Sequence, residues 1–94
     1  MPRYVIERDF GQVGEDEMQE VAIRSKATGL EHFPDITWEH SHVCSDDTGA
    51  VRSFCVYTAP NPGRLREHAD RLGGHVVTQI YEIVGDITPD EVVI

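Results

Sequence analysis

The stretch Ile36–His68, ITWEHSHVCSDDTGAVRSFCVYTAPNPGRLREH, decides the fold. Its first nine residues suit a strand that ends near Cys44. On a strand, side chains alternate, so Ile36, Trp38, His40, His42 and Cys44 share one face and Thr37, Glu39, Ser41 and Val43 the other. The segment SDDTGAVRS is a hairpin loop by composition, with Asp47 and Gly49 as its turn residues. Ser53–Ala59 then reads as a second strand, too apolar to lie exposed on both sides. Proline at 60 and 62 stops that strand and starts a helix, because Asn61 is a good N-cap and Pro62 at the first helical position loses no needed N–H. Leu65, Ala69 and Leu72 recur at helical spacing toward a core, and His68 lies beside that stripe.

Working outward, Arg3–Asp9 (RYVIERD) suits another strand, with Tyr4, Ile6 and Arg8 on one side and Val5, Glu7 and Asp9 on the other. Either Glu7 or Arg8 must therefore sit on whichever face is buried or paired. Gly11 and Gly14 break the pattern, and GEDEMQE places carboxylates where a helix N-terminus favours them, with Asp16 as N-cap. That helix is expected to run to about Gly29, with Met18, Val21, Ala22 and Ser25 inward and Ile23, Ala27 and Leu30 widening the stripe. Gly73 and Gly74 end the later helix, and Val76–Val84 is a β-branched last strand. The order βαββαβ, with right-handed crossovers, gives an α+β ferredoxin-like sandwich: a four-stranded antiparallel sheet with both helices on one face. Residues 1–94 form a single domain of this kind, with order expected to fade after Gly85.

A chain of 94 residues with 39% apolar content supports one modest core. Its formal charge of −9, from 17 acids against 8 Lys and Arg, opposes every phosphate contact, so no nucleic-acid partner is expected. No apolar run approaches the roughly 18–20 residues that span a bilayer, and the N-terminus lacks a signal-peptide pattern. The expected setting is the cytoplasm, away from membranes, where two cysteines stay free thiols. Because both helices cover one face of the sheet, the other face is left for water, a ligand or a second copy, and a homodimer through that face is expected.

Within the central stretch lie three of the five histidines, both cysteines and the single tryptophan. His40 and His42, two residues apart on a strand, can converge on one metal ion. Glu7 is the preferred carboxylate candidate, since it interrupts a central strand and a buried carboxylate needs a cation, a donor or an open face. His68 and Cys55 complete the candidate metal set, although each also reads as a packed core side chain. The hairpin register decides between two arrangements. If Cys55 lies opposite His42 or Cys44, thiol and imidazoles share a face; a slip of one residue puts Phe54 and Val56 there and turns Cys55 away. Late divalent metals accept this donor chemistry, with nickel, zinc and copper all eligible by ligand type.

The opening RYVIERDF, the segment ITWEHSHV followed after an acidic loop by FCVYTAP, and the helix REHADRLGG together resemble the small nickel-binding ferredoxin-like proteins. Trp38, His40, Ser41, Cys55, Tyr57, Ala59, Pro60, His68 and Ala69 carry the resemblance, which covers nearly the whole chain. It implies a ferredoxin-like homodimer that binds nickel through His and oxygen ligands, acting in metal response or homeostasis rather than in a defined reaction. In that family His42 stands where an aromatic residue is usual.

Two other readings start from the same residues. A small dimeric α+β-barrel enzyme, oxygenase-like or isomerase-like, could use His40 with Tyr57 or Glu7 as acid and base, or Cys55 with His40 as a nucleophilic pair. Alternatively, the chain is a metal-independent interaction module. There is no glycine-rich phosphate loop and no CxxC pair.

Overall fold

The computed structural model describes residues 1–94. Strand β1 (Arg3–Gly11) leads to helix α1 (Glu15–His32), strand β2 (Thr37–Ser45), strand β3 (Val51–Thr58), helix α2 (Pro62–Leu72) and strand β4 (Val76–Ile83), and a short 3-10 turn follows at Pro89–Glu91. All pairings are antiparallel, and the strands lie in the order β2-β3-β1-β4. This is the ferredoxin-like α+β arrangement expected from the order of elements. No helix is long and apolar enough to cross a membrane.

The first helix differs from expectation at both ends. Its N-cap is the extended Gly14, whose carbonyl accepts the first helical hydrogen bond from the Met18 N–H at 3.1 Å. Asp16 instead lies in an acidic first turn with Glu15 and Glu17, where the positive end of the helix dipole favours carboxylates. At the other end Gly29 does not terminate the helix, because it faces α2: a Cβ there would stand 3.9 Å from His68 Nε2. The helix continues to His32, and the buried Phe33 becomes its C-cap. The widening of the inward stripe fails too, since Ile23 and Leu30 are 70% and 74% exposed. In α2 the expected cap forms, with Asn61 Oδ1 accepting from the Arg64 N–H at 3.0 Å and Pro62 in the first turn.

Tyr4, Ile6, Cys55, Tyr57, Ala59 and Leu65 make the buried core, with Ile36, Val77 and Ile80 packed against it. Leu65 and Ala69 of α2 are both buried, so this helix seals its half of the sheet. By contrast, Ser25 is the one buried residue of α1. The first helix therefore leans on α2 while standing off the sheet above β2 and β3.

Register assigns every strand residue to a face. The face beneath the helices carries Tyr4, Ile6 and Arg8 of β1, opposite Tyr57, Cys55 and Ser53 of β3. The open face carries Val5, Glu7 and Asp9, opposite Val56, Phe54 and Arg52. Of Glu7 and Arg8, then, it is the arginine that goes inside, and it is only 2% exposed.

Candidate metal centre and helix-side cavity

Strand β2 is not regular. Trp38 pairs with Tyr57 and His40 with Val56, so the extra residue Glu39 forms a bulge. Simple alternation would put Trp38 and His40 on one face. The bulge separates them: Trp38, Ser41 and Val43 turn toward the helices, while His40, His42 and Cys44 share the open face. The indole accounts for this local choice, since it stacks on Tyr57 at 6.4 Å between ring centroids and its N–H donates to Ser41 Oγ at 2.9 Å. The polar imidazoles are left to water.

His40 and His42 are both exposed, and their rings meet edge to face with centroids 5.3 Å apart. Neither ring takes part in a hydrogen bond within the protein, so their nitrogen lone pairs are uncommitted. Glu39 lies beside them at the bulge and accepts from Arg3 Nε at 2.9 Å and from the Thr58 hydroxyl at 3.3 Å. The hydrogen bond from Arg3 holds its carboxyl below the usual range. Glu7 is on the same face, two strands from His42 with Phe54 between them. Its carboxylate is already met by Arg52 at 3.1 Å and by the Thr78 hydroxyl.

The other two candidates belong to the opposite side of the sheet. Cys55 pairs with Ser41 rather than His42, is buried, and donates its S–H to Ser53 Oγ at 3.3 Å. His68 is 1% exposed, with Nε2 at 3.2 Å from the Ser25 carbonyl, to which its N–H donates. The edge-to-face ring of Phe33 packs against it at 5.4 Å. Burial lowers the His68 pKa, which the Ser25 carbonyl partly opposes and the nearby Arg8 reinforces. Of the two arrangements that the hairpin register left open, the chain has the one that turns Cys55 away from the histidines, and with His68 buried beneath the helices the five candidates lie on opposite faces of the sheet. No group of three or more His, Cys, Asp or Glu side chains is placed to hold a metal ion within one chain. For nickel, His40 and His42 fit as two imidazole donors, with space for further ligands from outside the chain.

Sequence reasoning did not anticipate what lies beneath α1. A cavity of about 380 Å³ separates that helix from the sheet. Arg8, Tyr57, Cys55 and Ser53 form its sheet side, Met18 and Ala22 belong to its helix side, and Trp38 borders it on β2. The Arg8 guanidinium donates to the Tyr57 hydroxyl at 3.3 Å and to His75 Nε2 at 3.2 Å. Because the other nitrogen of His75 lies 3.0 Å from the Gly73 carbonyl and donates to it, Nε2 is free to accept. Burial pushes the Tyr57 pKa up and the His75 pKa down. One signal for Arg8 was present in sequence, its alternation with Tyr4 and Ile6; nothing local pointed to His75.

A family described as nickel responsive proteins like SCO4226 matches residues 4–83. Among solved structures, the crystal structure of SCO4226 from Streptomyces coelicolor A3(2) superposes with a TM-score of 0.68 at 14% identity, over 90% of this chain and 99% of that one. The solution structure of the C-terminal domain of MgtC from Mycobacterium tuberculosis gives 0.60 at 11% identity, over 90% and 88%. These two likenesses are in fold alone. No curated protein matches by sequence. The match across residues 4–83 spans every strand and both α-helices, and the chain belongs to the family of SCO4226-like nickel responsive proteins.

Proposed function

We propose that this protein binds nickel as a homodimer in the cytoplasm and acts in metal response or homeostasis, with His40 and His42 as the ligands contributed by each chain. The observation that carries the reading is the pair of exposed, uncommitted imidazoles on the open face. Two neutral imidazole nitrogens suit nickel, zinc and copper alike, and membership of a nickel responsive family favours nickel among them. Two ligands leave a late divalent ion short of its usual coordination, so the rest come from water or a second copy. Glu7 can join only by giving up Arg52. The open face carries Tyr81 and Val76, 55% and 64% exposed, which gives a second sheet an apolar surface to cover. The two free thiols, one exposed and one buried, suit a reducing compartment.

Calorimetric titration of the purified, chelator-treated protein with nickel tests this. Binding at micromolar or better affinity is expected, weakened at least tenfold in both His40→Ala and His42→Ala and lost on acidification as protons compete for the ring nitrogens. A wild-type protein that gives no heat and retains no nickel overturns the reading. Preference for zinc or copper under competition would overturn the choice of metal while leaving the site.

A further inference from the structure

Arg8 is a buried cation that no carboxylate of the chain answers. Arg3, Arg52 and Arg64 all form ion pairs with Asp or Glu, whereas Arg8 forms none. Its partners, Tyr57 and His75, are neutral acceptors. One of its nitrogens, Nε, is buried with no partner at all. An ion at 2% exposure without a counter-charge is costly, and a chain with nine net negative charges has acids to spare for it. Arg8 is also among the residues that line the cavity beneath α1, whose other walls are largely apolar. A pocket of some 300–1,000 Å³, apolar and with a few convergent polar groups, is the usual form of a small-molecule site, and the 380 Å³ here is within that range.

We propose that this cavity binds a small amphipathic carboxylic acid, its carboxylate on the Arg8 guanidinium and its aryl or alkyl body between α1 and the sheet. Charge complementarity selects the head group: a planar guanidinium matches a carboxylate's two oxygens and supplies the missing anion. Tyr57 and Ser53 line the same side, and each hydroxyl, which accepts from Arg8 or Cys55, keeps its own proton to donate to the ligand. Met18, Val21 and Ala22 of the overhanging helix, with the face of Trp38, enclose the apolar part. The site is on the helix side of the sheet and shares no residue with the His40–His42 pair, so it stands or falls independently of nickel.

The single tryptophan borders the cavity, so its fluorescence reports occupancy directly. Chelator-treated protein is titrated with 4-phenylbutyrate, octanoate and indole-3-acetate, and with 4-phenylbutan-1-ol as the uncharged counterpart. Saturable binding is expected, at least tenfold tighter for 4-phenylbutyrate than for the alcohol, with amide shifts confined to α1 and the helix-facing residues of β1 to β3. Arg8→Met removes that tenfold preference and leaves the ligand-free protein at least as resistant to urea. If none of the three acids saturates, if acid and alcohol bind alike, or if Arg8→Met keeps the preference, the proposal fails. Should Arg8→Met not fold, Ala22→Trp decides: filling the cavity abolishes acid binding, and undiminished binding overturns the assignment.

Discussion

At the residue scale the histidines divide by what surrounds them. His40 and His42 stand in water with free nitrogens, whereas His68 and His75 each donate one ring N–H to a backbone carbonyl, of Ser25 and Gly73. Burial lowers the pKa of both His68 and His75, so the folded chain resists protonating them more than the unfolded chain does. Above the ordinary imidazole value of 6.5 both states are neutral at these positions and contribute no pH dependence. As pH falls through that value the unfolded state takes up protons first, and stability drops until the lowered folded values are reached. The depressed carboxyls of Asp35, Glu39 and Asp46 act in the same direction, but only in a window below their ordinary values of 3.8 to 4.5. Urea midpoints at pH 7.5 and 5.5 therefore isolate the imidazoles. The wild type is expected to be weaker at pH 5.5, and His68→Phe to lose a measurable part of that difference, with His75 accounting for the remainder. An unchanged difference would show that His68 is not held neutral by its burial.

At the element scale the regular alternation of β2 beyond its bulge, which puts His40 and His42 on one face, matters more to the chemistry than the bulge itself. Deleting Glu39 leaves Trp38 and His40 as consecutive residues on opposite faces, which the regular ladder already demands. Deleting Ser41 makes His40 and His42 consecutive and sends one of them under the helices. Nickel affinity is thus expected to survive loss of Glu39 within a fewfold and to fall at least tenfold on loss of Ser41, both measured by calorimetry beside circular dichroism. The reverse ranking would mean the bulge, not the shared face, makes the metal site. The types and order of the six main elements were legible because each carries its own periodicity and punctuation, from the alternation in RYVIERD to the Asn61-Pro62 cap. A bulge is not legible that way, since one inserted residue leaves composition and propensity untouched. The only hint was spacing: Trp38 and Ser41 could bond on one face only if a residue between them dropped out of step. Likewise, Gly29 read as a helix terminus because glycine commonly ends helices; its contact with α2 is a tertiary fact. Cys55 was open in sequence because its pairing depends on a loop whose length does not fix register.

At the scale of the whole molecule, the two faces of the sheet have become two chemically different surfaces. One lies under the helices around an uncompensated arginine; the other carries the free imidazoles and an apolar patch with Tyr81 at its centre strand's neighbour, β4. If a second copy covers the open face, Tyr81→Asp should convert the sedimenting species from twice the 10.6 kDa chain mass to the monomer while leaving far-ultraviolet dichroism intact. A wild type that sediments at the single-chain mass would remove the dimer from the proposal.

The strand order also dictates when this sheet can be finished. The hairpin β2-β3 closes across a short loop, yet the central strand β1 takes its second neighbour from the far end of the chain, with Arg3 opposite Ile83. During synthesis β1 must therefore wait, one edge bare, until Val76–Ile83 has left the ribosome. A nascent chain stalled before Val76 would leave the backbone N–H and C=O groups of β1 that pair with β4 as a free edge, the kind of template on which neighbouring chains pair wrongly. That exposure ends once Val76–Ile83 has emerged and paired with β1.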